Sequence, residues 1–463
     1  MTLMTVEENR RPHPRGVQDM VDCAPMGIGL LLVISLSVLT LAIDGVDTQL
    51  VAFGSPIILR EWHADKLAFA PVFAAALAGM AVGALAGGAL GDRFGRRTVV
   101  IASTAAFGLC TLLVAFATSV EQMAMLRLLS GLGFGAVLPN IFALIAEWVP
   151  RRLRPVIVTI STIGVPIGGM MGAAVFAWAM PRFGWRECFA GAALLTLAYC
   201  ALLIARLPES PSLLFRRGRQ DALAESLRRV LGNDGAELLA VATPEPVSAP
   251  REGPGTLLSR SFLRRTIGLS VIAFAAGYLG FAFANWVPVM LSMAGMPLRF
   301  AILGSFFINL FAIVGALAMA GLIPWLGSRL ALCGSLLLFA AGTVALSPIL
   351  TLATAAPGGG TTALAMAALS VIGYGIGALA SSSFTLAVHA YPASIRATGG
   401  GLSNALNRTG ALLTPFVGAW LLDAGGDRSD RFMVSVLLFI AIALAGALIY
   451  DTHVGREAPA PPD

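Results

Sequence analysis

Along this chain apolar residues come in long blocks and seldom alternate with polar ones. Roughly 20 apolar residues in an α-helix cross the ~30 Å hydrocarbon layer of a bilayer, and blocks of that kind recur throughout the chain. In lipid each backbone N–H must find its partner within its own segment, so a long apolar run there is a helix. A membrane barrel needs short strands of alternating polarity, a pattern the sequence lacks. The blocks predict spans at 28–52, 67–90, 98–117, 121–148, 154–179, 185–206, 266–293, 299–321, 328–349, 361–388, 394–422 and 431–451. The expected organisation is an N-terminal segment (1–27), a first half (28–206), an Arg-rich central loop (207–264), a second half (265–451) and a tail (452–463). The fold class is therefore an all-α membrane protein with twelve transmembrane helices in two six-helix halves.

Composition agrees: 57% of residues are hydrophobic and 12% charged, against about 25% charged in a soluble domain. A soluble core could not absorb that much apolar side chain without exposing large patches. Basic residues concentrate on the side shared by both termini and the central loop, so the positive-inside rule places both termini in the cytoplasm. The net charge of +6 then reads as topology, with no nucleic-acid partner implied. Arg10, Arg11 and Arg15 precede a first apolar run that is too long for a signal peptide, which predicts an uncleaved helix. Five cysteines (Cys23, Cys110, Cys188, Cys200, Cys333) show no metal spacing. The proline-rich end, Ala458 to Asp463, predicts disorder, and Lys66 as sole lysine fits a GC-rich bacterial genome, hence an inner-membrane location. Two facing six-helix halves are common among secondary transporters.

Candidate chemistry lies at four places. The loop after span two reads Gly88-Ala-Leu-Gly91-Asp92-Arg93-Phe-Gly95-Arg96-Arg97; Gly95 permits a sharp turn, and Asp92 can cap a helix or pair with an arginine. On charge alone it could be an ordinary positive-inside loop. Before it, Gly79, Gly83, Gly87 and Gly91 line one helix face, a device for close packing. Span one carries Asp44 and Asp47, one turn apart and well inside the apolar run. A charge at membrane depth costs at least ~2.5–3.5 kcal/mol, so the pair is either solvated near a helix end or used, in proton carriage or substrate contact. Span four contains Arg127, Asn140 and Glu147. At ~1.5 Å per residue Arg127 and Glu147 stand about 30 Å apart, with Arg127 toward the outer cavity and Glu147 beside the Asp92 loop. Asn140 is a substrate donor or an interhelical contact. Span eleven carries Arg396 at its mouth, then Asn407 and Arg408 near mid-membrane. Guanidinium matches a carboxylate bidentately, so Arg408 either grips an anionic substrate or forms a fixed bridge to Asp44 or Asp47. His389, where span eleven begins, could titrate or be structural.

The Gly-x-x-x-Asp-Arg-x-Gly-Arg-Arg loop after the second of twelve helices resembles the signature of the major facilitator superfamily, whose loop latches the two halves together on the cytoplasmic side. The half-boundary Leu207-Pro-Glu-Ser-Pro211 is similar to that superfamily's, while the second-half counterpart, Gly321 to Arg329, lacks the acid. Asp44-Gly-Val-Asp47-Thr48, Arg127-x-x-x-Gly-x-Gly-x-Gly-x-x-x-Pro139-Asn140, Tyr391-Pro-x-x-x-Arg396-Ala-Thr-Gly399 and Asn285-Trp286-Val-Pro288 resemble the aromatic acid:proton symporter branch. Asn407 departs from that branch, which usually has Gly there.

The resemblance implies that Asp44 and Asp47 are the essential span-one acids, with Arg127, Glu147, Arg396 and Arg408 at matching positions; the expected roles are proton coupling by Asp44 and Asp47, substrate contact by Arg408, Arg127, Asn140, Asn407 and Trp286, and gating by Asp92, Arg93, Arg96, Glu147 and Arg396. Trp286 and Phe281 could stack on an aromatic ring or simply pack. The expected activity is proton-coupled import of a small organic acid, such as a (hydroxy)benzoate, by alternating access. Expected partners are the acid, protons as coupling ion and the bilayer, with no cofactor or metal and a monomeric state. Efflux antiport on the same fold and import of a non-aromatic metabolite stand as alternatives; Val165 splits the Gly-Pro pair usual in antiporters. Four scattered histidines (His13, His63, His389, His453) and no nucleotide fingerprint argue against a membrane enzyme, and the central loop is too small for a sensor's output domain.

Overall fold

The computed structural model describes residues 21–22, 27–231, 254–355, 358–392, 395–424 and 429–453. Arg10, Arg11, His13, Arg15, Cys23, the central loop over 232–253 and the proline-rich end lie outside the described residues.

Twelve long helices follow in order: α1 (Ile28–Glu61), α2 (Lys66–Phe94), α3 (Arg96–Val114), α4 (Val120–Trp148), α5 (Arg154–Phe183), α6 (Trp185–Arg206), α7 (Leu263–Met293), α8 (Leu298–Leu326), α9 (Ser328–Ala355), α10 (Gly359–Ala390), α11 (Arg396–Ala424) and α12 (Asp430–Ile449). Each expected span falls on one of them. The first runs nine residues past its expected end at 52, to Glu61, because the helix continues through Pro56 into a further apolar turn; proline in a membrane helix leaves backbone groups that neighbours can satisfy. Eleven helices are long and apolar enough to span a bilayer. The remaining one is α11, diluted by Thr398, Gly399 to Gly401, Asn404, Asn407 and Arg408. It is held by packing along α7 and α2. Large apolar side chains such as Leu85, Leu195, Trp325 and Val434 are exposed on the periphery, where lipid would cover them.

Gly95 (φ 112°) ends α2 and begins α3, and Gly327 (φ 80°) does the same between α8 and α9. Positive φ carries no Cβ penalty at glycine, so both halves turn at the same place. They also share a packing scheme. In the first half Gly79 and Gly83 of α2 meet the Leu128 and Leu132 carbonyls of α4, and Gly131 and Gly135 of α4 meet Ala76 and Met80. In the second half Gly373 and Gly377 of α10 meet Ile308 and Ala312 of α8. Likewise Gly45 against Val165 and Gly168 against Ala42 join α1 to α5, while Gly277 against Asn407 and Gly410 against Phe274 join α7 to α11. Each half is thus built from helices in backbone-to-backbone contact.

Two short helices, Pro211–Arg216 and Gln220–Leu231, lie on one face of the bundle, the central face. Gln220–Leu231 buries Leu223, Leu227 and Val230, and Gly29 at the start of α1 sits against its backbone. Among the described residues the polar ties between the halves lie elsewhere. On the far face Lys66 Nζ meets Asp423 Oδ1 at 3.3 Å, the Leu67 amide donates to Asp423 Oδ2 at 3.0 Å, and Arg60 donates to Ser292 at 3.3 Å. Deeper inside, Gln49 of α1 and Asn309 of α8 exchange two amide hydrogen bonds, each 3.0 Å. This conformation is therefore closed at the far face.

Gly83→Val should overpack the α2–α4 contact, at a cost of about 1–3 kcal/mol, and lower the melting temperature of the detergent-solubilised protein by several degrees. Gly88→Val, where an added Cβ meets nothing within 4 Å, should leave it unchanged. Equal melting curves for the two variants would contradict this packing account.

Candidate functional site

A narrow cavity lies between the halves near mid-membrane. Its walls are Asp44, Asp47 and Thr48 of α1, Phe73 and Leu77 of α2, Arg127 and Phe134 of α4, and Phe281 and Asn285 of α7. Beside it, an apolar cluster of Leu77, Met80, Phe134 and Ala411 packs across the halves, with Phe281 and Leu412 against it.

The structure separates the two span-one acids, which the sequence reading treats alike. Asp47 Oδ2 is 2.8 Å from Arg127 Nη1, and its Oδ1 accepts a 2.6 Å hydrogen bond from Thr111. Arg127 Nη2 also donates to the Asp47 carbonyl at 3.3 Å. The guanidinium of Arg127, its side chain 4% exposed, is therefore committed to Asp47 and is not a free cation for a substrate. Asp44 is 6% exposed and, among the described residues, has no ion-pair partner; its Oδ1 accepts a 3.0 Å bond from Thr48.

Arg408 of α11 is half-buried and, among the described residues, forms no ion pair and no hydrogen bond. Asp44 lies within its electrostatic reach. The alternative of a fixed bridge from Arg408 to Asp44 or Asp47 is not what forms, since Arg127 neutralises Asp47. The site thus holds one ion pair, Asp47–Arg127, and an Asp44 bonded only to Thr48 among the described residues; Arg408 is not among the residues that line the cavity.

Other expected contacts sit away from the cavity. Asn140 Nδ2 donates to the Gly87 and Ala136 carbonyls, both at 2.8 Å. Both amide hydrogens are used at the α2–α4 interface, so in this conformation Asn140 acts as an interhelical contact, the second of its two expected roles, and has no hydrogen left to donate to a substrate. Asn407 donates to the Ala273 carbonyl at 3.2 Å, joining α11 to α7. Trp286 is fully buried and stands edge-on to Phe73 at 5.5 Å; it backs the cavity wall, whereas Phe73 and Phe281 line it. Sequence reasoning missed Asn285, quoted only as part of a motif. It is 5% exposed, lines the cavity, and its Nδ2 has no partner. The signal was available: an amide at membrane depth, one residue before a tryptophan.

The glycine-rich loop docks at the central face. Arg96 pairs with Glu147 of α4 and, at 3.6 Å, with Asp92. Glu147 also accepts from Ser210 Oγ at 2.5 Å and the Ser212 amide at 3.3 Å, and Glu209 accepts from the Arg97 amide at 3.0 Å. The Arg93 carbonyl accepts from Arg217. All these partners belong to the first half or the segment following it, so in this conformation the described contacts fasten the loop to its own half. Arg396 begins α11, and its side chain lies outside the described residues. In the second-half counterpart His453 Nε2–H donates to the Ala447 carbonyl at 2.9 Å, which leaves Nδ1 to accept from Ser328 Oγ at 3.0 Å. Burial holds the His453 imidazole below its ordinary pKa. His389 is exposed at the end of α10.

Comparison with known proteins bears on the whole chain. The 4-hydroxybenzoate transporter PcaK of Pseudomonas aeruginosa is 31% identical over 438 residues, 94% of this chain and 95% of that protein. The gallate transporter of Pseudomonas putida is 29% identical, covering 96% and 97%. Among solved structures, the xylose transporter XylE of E. coli in its inward-open conformation superposes with a TM-score of 0.68 at 17% identity, over 91% of this chain and 95% of that one. The family model described as Major Facilitator Superfamily matches residues 37–408. With its twelve helices in two matching halves around a charged central cavity, the chain belongs to the major facilitator superfamily.

Proposed function

We propose that the chain imports an aromatic carboxylate together with a proton across a bacterial inner membrane, as a monomer with both termini in the cytoplasm. Membership of the superfamily makes it a transporter and not an enzyme. The aromatic acid is the reading supported by relatives named as 4-hydroxybenzoate and gallate transporters over nearly their full length, and by Phe73 and Phe281 on the cavity wall.

The observation that carries the mechanism is the unpaired Arg408 within reach of an unpaired Asp44, beside an Asp47 already neutralised by Arg127. Arg408 receives the substrate carboxylate. That takes up the one cation near Asp44 that is not already in an ion pair among the described residues, so an ionised Asp44 would leave a net negative charge at membrane depth. A proton on Asp44 restores neutrality. By linkage, each then favours the binding of the other, and the loaded site can close as a neutral body. Asp47 keeps its bonds to Arg127 and Thr111 and holds α1, α3 and α4 in register. The Asp92–Arg93–Arg96–Glu147 assembly gates the central face, with Arg396 at the mouth of α11. Alternating access proceeds by rocking one glycine-packed half against the other. Opening the far face requires release of the Lys66–Asp423 and Gln49–Asn309 ties.

The first test is uptake of labelled aromatic acids into proteoliposomes under an imposed inward proton gradient. Accumulation that an uncoupler abolishes is expected; export of preloaded compound against proton entry would make the protein an antiporter. Asp44→Asn should abolish uphill accumulation while leaving substrate exchange and the melting temperature near wild type. Asp47→Asn strands Arg127 in the interior, at a cost of roughly 3–5 kcal/mol, and should lower the melting temperature markedly. If Asp44→Asn still concentrates substrate, the proton assignment fails. Arg408→Lys replaces a planar fork with a point charge and should raise KM by about tenfold, the equivalent of ~1.4 kcal/mol; an unchanged KM would remove Arg408 from the site.

A further inference from the structure

We propose that Asn285 reads a ring hydroxyl on the carried acid, so that the protein selects hydroxylated over unsubstituted aromatic carboxylates; this rests on the aromatic-acid reading above. Asn285 comes from α7, in the second half, and meets a cavity whose acidic and basic groups, Asp44, Asp47 and Arg127, come from the first. It is 5% exposed, and its Nδ2 has no hydrogen-bond partner. Buried amide donors are nearly always satisfied, and an unsatisfied one calls for an explanation. The other interior amides follow the rule. Asn140 donates twice, Gln49 and Asn309 satisfy each other, and Asn407 donates to Ala273. Asn285 differs from them in lining the cavity.

The same cavity lining carries an acceptor, Asp44. Thr48 occupies Oδ1 of Asp44, and Oδ2 has no hydrogen-bond partner among the described residues. A carboxyl group offers an acceptor oxygen whether or not it holds a proton. A phenolic hydroxyl is both donor and acceptor: its oxygen can take the Asn285 Nδ2 hydrogen while its own hydrogen goes to Asp44. Phe73 and Phe281 of the same lining offer apolar surface to the ring. An unsubstituted ring would leave both polar groups unpaired in a dry site. Sites built to bond a substrate hydroxyl reject the analogue that lacks it far more strongly than an apolar pocket rejects an added group.

The test compares 4-hydroxybenzoate, 3-hydroxybenzoate and benzoate with the full-length protein in proteoliposomes. Wild type should carry at least one hydroxybenzoate with kcat/KM about tenfold or more above benzoate. In Asn285→Leu this ratio should fall to within about twofold, chiefly through the hydroxylated acid, while Asn285→Ser, which keeps a donor, retains part of it. Ligand-induced thermal stabilisation of the wild type, hydroxybenzoate against benzoate, gives a second measure that needs no variant. Equal wild-type handling of the three acids, in transport and in stabilisation, would overturn the inference. So would a preference that survives Asn285→Leu intact, and in both cases aromatic-acid transport itself would stand. If no aromatic acid is carried at all, the underlying reading falls and this inference with it.

Discussion

The buried ion pair between Asp47 and Arg127 is the constraint around which the site is arranged. Two ionised groups at membrane depth are tolerable only when each has its partner, and Thr111 completes the coordination of Asp47. The pair ties α1 to α4 and, through Thr111, to α3, fixing the middle of α1 in position. It also takes one acid and one base out of play. What remains are Asp44 and Arg408, on helices from different halves, each without a fixed counter-charge. Had Arg408 been bridged to Asp47, a substrate carboxylate would have had to break a buried salt bridge to bind. The division of labour leaves a cation open at no such cost.

Movement places a second demand on the fold. Helices within each half meet through glycines whose Cα atoms touch the neighbour's backbone, so a half resists deformation and moves as a body. Between the halves the polar ties are of a different kind: a half-exposed Lys66–Asp423 bridge, a peripheral Arg60–Ser292 bond and one reciprocal amide pair. Exposed bridges contribute about 0–1 kcal/mol, and neutral hydrogen bonds about 0.5–1.5 kcal/mol net. Contacts of that strength can be exchanged for others of similar strength on the opposite face.

Much of this was legible in the sequence, because lipid leaves so little choice of backbone. Apolar block length placed every span on its helix with ends within about six residues, except where Pro56 disguised a helix that runs on to Glu61. The glycines of α2 announced close packing, and the partner proved to be α4 in the same half. Asp44, Arg127 and Arg408 stood out as charges that an apolar segment does not carry idly. Pairing was not legible. Which acid takes Arg127 depends on the rotation of α1 against α4, and a one-turn spacing places Asp44 and Asp47 on the same face. Asn140 and Asn285 look equivalent as isolated amides in apolar runs, yet one is consumed by backbone carbonyls and the other is left open. Only three-dimensional context separates them.

The weak apolarity of α11 follows from the same electrostatics. A helix that must offer a free guanidinium at mid-membrane cannot also be strongly apolar around it, since the charge needs polarisable or wet surroundings whenever the site is empty. Thr398, Asn404, Asn407 and Thr409 supply that environment along α11, and packing against α7 and α2 replaces the lost hydrophobic anchoring. On the proposed mechanism Arg408 passes between two neutral arrangements, facing an ionised Asp44 when empty and a carboxylate beside a protonated Asp44 when loaded. A substrate anion without its proton leaves one uncompensated negative charge, and a proton without its substrate leaves one positive charge. Either half-loaded state carries the penalty for moving a charge through a closed, dry interior. Coupling then needs no mechanical linkage between two distant sites: it arises because only the empty and the fully loaded cavities are neutral enough to cross.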